Sequence, residues 1–197
     1  MDKVLVIGRD SVPDRIVLGG GENLSLTLAV LPGTDCDLSL EIDLDAPGAS
    51  LDLAGIFVCR GSENVSINVN VRHNSGSCIS TQLFKGIAGG KARARFNGLI
   101  YVAPDSQKTK AYQQCHTILL DGDAVVEARP QLEIYADDVE CSHGATSGYL
   151  NEDERFYMQS RGIPAQDARR LQMISFLSAV ASRLPEELRQ QIYDSLS

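Results

Sequence analysis

Apolar–polar alternation that recurs at a nearly constant step most constrains what this chain can fold into. Leu24, Leu26, Leu28 and Val30 alternate with other residues, then Leu38, Leu40, Ile42 and Leu44, then Leu51 and Leu53, then Val65, Ile67, Val69 and Val71. Such alternation puts one strand face in a core and the other toward water. The runs begin near Leu24, Leu38, Leu51, Val65 and Ile79, at steps of 14, 13, 14 and 14 residues. Pro32-Gly33, Pro47-Gly48, Gly61-Ser62 and Ser75-Gly76 stand between them and supply turn chemistry. A sandwich would show less regular steps, often of about 8 to 12 residues. The even step predicts stacked, equivalent rungs, a β-solenoid whose full turn is two steps, roughly 27 residues.

The pattern changes near residue 150, which divides the chain into a strand region, 1–150, and a helical segment, 151–197. Asn151 and Glu154 have the spacing of a capping box. Gly162 and Pro164 end one helix and start another, and Ala165 to Leu184 contains neither Gly nor Pro. Ala168, Leu171, Ile174, Leu177, Ala181 and Leu184 form an apolar stripe at steps of three and four. Pro185 opens a last short helix carrying Leu188, Ile192 and Leu196. These helices are suited either to covering the last open edge of the solenoid or to meeting a partner.

Composition excludes several classes. Eighteen Lys and Arg against 26 Asp and Glu give a net charge of -8, the wrong sign for holding phosphates or anionic lipid, so neither nucleic acid nor membrane is an expected partner. No apolar run approaches a membrane span, and MDKVLVIGRD does not read as a signal peptide, so the cytoplasm is the expected compartment. Five cysteines at irregular spacing, with no CxxC, resemble neither a disulfide framework nor a zinc ribbon. The aspartates of the strand region (Asp35, Asp37, Asp43, Asp45 and Asp52) read as a solvated face. No hydrolase motif, P-loop or HExxH is present, and no enzymatic activity is expected. Soft ligands concentrate at Cys115-His116 and Cys141-Ser142-His143, while Cys36, Cys59 and Cys78 read as small core residues.

Three stretches carry a family resemblance: KAYQQCHTILL at 110–120, RPQLEIYADDVECSHGATSG at 129–148, and FYMQSRGI at 156–163. They resemble the C-terminal core of the SufB/SufD proteins of iron–sulfur cluster assembly, on the SufD side. The resemblance implies a right-handed parallel β-helix followed by a small helical domain, in agreement with the rung spacing. It implies a scaffold that dimerises through the β-helix, as a homodimer or with a SufB-like chain, and docks a SufC-like ABC ATPase through its helices. Cys115 falls where SufB carries a cluster cysteine, and His143 where SufD carries its histidine, so these two are the expected ligands of a transient iron–sulfur cluster. The position after His143, a glutamate in SufB, is Gly144 here. A role for His116 in making Cys115 thiolate-prone fits the same picture. Phe156, Tyr157, Arg161, Leu171 and Phe176 are the expected docking residues. The alternative is a non-catalytic interaction module that binds an ATPase or a SufB-like partner without holding a cluster. An independent enzyme built on the solenoid has no motif behind it.

Overall fold

The computed structural model describes residues 1–196. Eleven strands lead into three helices: β1 (Asp2–Val6), β2 (Arg15–Leu18), β3 (Asn23–Val30), β4 (Cys36–Leu44), β5 (Ser50–Cys59), β6 (Asn64–His73), β7 (Ile79–Ala88), β8 (Arg93–Val102), β9 (Lys110–Leu119), β10 (Val125–Ile134), β11 (Glu140–Gly148), α1 (Glu152–Ser160), α2 (Ala165–Ala181) and α3 (Glu186–Asp194). Odd strands form one parallel sheet in the order β1-β3-β5-β7-β9-β11, and even strands form a second in the order β10-β8-β6-β4-β2. The chain thus alternates between two sheets and climbs one rung per pair of strands, giving a parallel β-helix of about five turns. Asn23 pairs with Ser50, Ser50 with Ile79, Ile79 with Lys110 and Lys110 with Glu140, so one turn takes 27 to 31 residues.

The two sheets enclose a core that is apolar through the early turns. Leu26, Leu28, Leu40, Ile42 and Leu53 are essentially without solvent contact. Each such side chain contributes about 1.5–3 kcal/mol by leaving water. Later turns fit aromatic rings by complementary size. Phe84 lies in register over Gly55, and Phe57 over Gly86. A Cβ on Gly86 would stand 1.9 Å from the Phe57 ring, and one on Gly55 would stand 2.2 Å from Phe84. The outer face of the even sheet is solvated, with Asp37, Ser39 and Glu41 on β4 and Arg93 and Arg95 on β8 pointing outward. Asp43 departs from that expectation. It is buried, receives Arg15 Nε at 2.5 Å, and has Arg72 Nε at 3.8 Å, because a carboxylate taken from water must be paired.

The helices do not cover the solenoid end. They pack along the outside of the odd sheet, where Met173, Leu177, Val180 and Ile192 meet Ala54, Ile56, Val58 and Ile87 in a second apolar cluster. Strand β5 is therefore buried on both faces. Asn151 caps α1, its side chain accepting from the backbone N–H groups of Asp153 and Glu154. The reciprocal half of the expected capping box is absent, since Glu154 instead accepts from Gln172 of α2 at 3.1 Å, which ties the two helices together. The expected stripe holds except at one position: Ala168, Leu177, Ala181 and Leu184 are buried and Ile174 packs against the same cluster, whereas Leu171 is exposed. Gln172, Met173 and Val180 widen the buried face. With the helices on a side face, β10 and β11 each pair with a single strand, and the end of the solenoid stays open.

Candidate functional site at the open end of the solenoid

Strand β9 belongs to the last fully covered rung, and β11 lies one rung beyond it. On β9 the inward positions are Ala111, Gln113, Cys115 and Thr117, all buried. Parallel register carries these columns onto β11: Cys141 over Ala111, His143 over Gln113, Ala145 over Cys115 and Ser147 over Thr117. Cys115 and His143 therefore point from the same face of the same sheet on adjacent rungs, one side-chain step apart along the strand. Strand spacing and rise put such diagonal neighbours roughly 8 Å apart. Cys141 shares that face, half-buried, two residues before His143.

The two expected ligands differ in environment. Cys115 is 1 % exposed. Burial pushes its thiol up to about 11, only partly offset by a hydrogen bond with Thr117, so at neutral pH it is a protonated thiol. Ala145, a single methyl, is its cover on the next rung. His143 is exposed at the open end. His116 cannot activate Cys115, because successive strand residues point to opposite faces. It faces outward, its Nδ1 lies 2.6 Å from Thr146 Oγ1, and burial together with Lys85 lowers its proton affinity. Cys36, Cys59 and Cys78 are buried core residues. Among the described residues, no group of three or more His, Cys, Asp or Glu side chains is gathered for a metal ion.

Polar side chains beneath the open end went unnoticed in the sequence. Gln82 and Gln113 are fully buried and bonded to each other, Gln113 Nε2 donating to Gln82 Oε1 at 2.9 Å. His73 is also buried, 2.8 Å from Ser80 Oγ, and desolvation pushes its imidazole down to about 4. The available signal was the spacing in Gln113-Gln114-Cys115, which puts Gln113 on the cysteine's face.

On the flank of the same end, β11, α1 and α2 border a groove of about 1020 Å³. Tyr157, Leu171 and Phe176 of the expected docking residues line it, joined by Tyr149 and Met158. Lys85 stands 4.4 Å over the Phe176 ring. Phe156 is exposed but outside the groove, and Arg161 lies against the Tyr157 ring. No helix among the described residues is long and apolar enough to cross a membrane.

Fold and site define a short parallel β-helix with a thiol and an imidazole on adjacent rungs at its open end and a helical appendage on one face. The family model described as "SUF system FeS cluster assembly, SufBD core domain" matches residues 13–176. The chain belongs to this SufBD family of iron–sulfur cluster assembly proteins. It is 46 % identical over 123 residues to the iron–sulfur cluster assembly protein SufD of Escherichia coli (strain K12), covering 62 % of this chain and 29 % of that protein. It is 36 % identical over 147 residues to Protein ABCI7, chloroplastic, of Arabidopsis thaliana, covering 74 % of this chain and 31 % of that protein. Against the SufD protein of Bacillus subtilis (strain 168), identity is 30 % over 145 residues, covering 74 % and 33 %. The matches thus span about a third or less of these relatives' length.

Proposed function

We propose that this chain is a scaffold component of iron–sulfur cluster assembly that holds iron and sulfide, as cargo, at the open end of its solenoid. The observation that carries this reading is the register that brings Cys115 and His143 to one face on adjacent rungs. A thiolate and an imidazole are soft enough for iron, and the thiolate can also carry sulfur. Two ligands from one chain leave coordination incomplete, which suits cargo that must be passed on. The unpaired edges of β10 and β11 offer backbone donors and acceptors to a second chain, either another copy or a SufB-like protein, which would complete the ligand set. The groove lined by Tyr157, Leu171 and Phe176 is the docking place of a SufC-like ATPase.

The interaction-module reading draws on a different observation, the burial of Cys115 beneath the last rung, which keeps its sulfur from solvent. Anaerobic reconstitution with iron and sulfide separates the two. The scaffold reading expects visible absorbance and iron to co-elute with the wild-type protein and to fall in Cys115→Ser and His143→Ala. Equal loading of wild type and both variants would overturn it.

A further inference from the structure

The interior of the solenoid changes character along one column. Leu26 is followed by Leu53, then Gln82, then Gln113, then His143, each in register with the next. Amide side chains stacked in register form a ladder. Gln113 is locked into it. Its amide donates to Gln82 at 2.9 Å and lies against Gly98 of the opposite sheet, where a Cβ would stand 2.3 Å from Oε1 and 2.5 Å from the amide carbon. Its Oε1 is a buried acceptor with no hydrogen-bond partner among the described residues.

An amide ladder has a direction, because each rung donates to one neighbour and accepts from the other. Gln113 donates back toward Gln82, so its acceptor is left for the rung ahead. That rung holds His143, and an imidazole always carries at least one N–H. The strands are about 4.8 Å apart, and a change of side-chain rotamer covers the reach.

We infer that His143 donates a ring N–H to Gln113 Oε1, and that Gln113 is a positioning residue which fixes the tautomer of His143 and turns its other ring nitrogen toward the open end. The free nitrogen then has its lone pair available for iron. Ligating histidines are held by such a bond at the opposite ring nitrogen. The functional consequence rests on His143 being an iron ligand, whereas the bond itself stands without that reading.

The test uses the full chain labelled with 15N-histidine, free of iron. Long-range proton–nitrogen spectra at neutral pH report the tautomer of each of the three imidazoles, and His143→Ala assigns the signal. One protonated and one unprotonated nitrogen in a single tautomer are expected for His143. Gln113→Leu returns it to an averaged mixture. Gln113→Glu, which as a buried neutral acid can donate to Gln82 and still accept, restores the single tautomer. Averaged shifts in the wild type, or a tautomer untouched by Gln113→Leu, overturn the inference, and the wild-type spectrum decides even if that variant fails to fold. In iron-loaded protein, Gln113→Leu weakens iron retention by about 10- to 100-fold, and Gln113→Glu preserves it. A tautomer scrambled by Gln113→Leu, with iron retention unmoved by that variant and by His143→Ala, leaves the bond standing and overturns the ligand reading.

Discussion

Gly98→Ala is the substitution whose sign depends most directly on the interior amide ladder. Gly98 is an inward residue of β8, and an alanine there would normally gain about 0.5–1 kcal/mol over glycine in a strand. The Gln113 amide reverses that expectation, since the new Cβ would fall 2.3 Å from its Oε1 and 2.5 Å from its carbon and nitrogen. Overpacking of this kind costs about 1–3 kcal/mol. Pushing the amide aside also breaks the bond with Gln82 and leaves buried polar atoms unpaired, for about 1–3 kcal/mol more. The net expectation is a destabilisation of about 3 kcal/mol, opposite in sign to the intrinsic preference. Urea unfolding followed by circular dichroism measures it, in a cycle with Gln113→Ala. Removing the amide makes room for the new methyl, so Gly98→Ala becomes nearly neutral in that background, with a coupling of about 3 kcal/mol. A higher urea midpoint for Gly98→Ala alone, or an equal loss in both backgrounds, would refute the packing argument.

Other outcomes follow from the same structure. Because burial lowers the His73 imidazole from 6.5 to about 4, the unfolded chain takes up the proton first as pH falls. Its contribution, about 3 kcal/mol in full, is present above pH 6.5 and lost as pH falls through about 4. Urea titrations across that range should show a shallower acid loss in His73→Gln, and identical slopes would contradict the buried imidazole. Alkylation mapped by mass spectrometry should find Cys115 at least ~100-fold slower than a thiol at the ordinary value of 9.0, because its own value is about 11. Modification as fast as that of half-buried Cys141 would show that the last rung does not cover it. Leu171→Glu, in the lining of the groove, should abolish binding of a SufC-like ATPase in a pull-down while leaving iron loading intact, and retained binding would remove the groove from the docking surface.

The rung period was legible because strand alternation and step length both report on stacking, and the structure repeats them through β3 to β7. Alternation also identifies Gln113 as an inward residue, but not what lies on the rung above it, which only register reveals. The position of the helices had its own signal. Ala54 to Cys59 is nearly unbroken in apolar character, as a strand buried on both faces must be. Asp43 was misread because an outward carboxylate and one neutralised by Arg15 and Arg72 look alike in a pattern of alternating residues. The choice of Cys115 and His143 as candidate ligands came from the family resemblance, and their placement on one face of adjacent rungs from the register of β9 with β11.

X-ray absorption at the iron edge of the reconstituted protein tests the central claim most directly, because it counts sulfur and nitrogen neighbours of the metal. The account predicts a nitrogen neighbour that disappears in His143→Ala and a reduced sulfur contribution in Cys115→Ser. Iron whose neighbours are the same in wild type and both variants would contradict it.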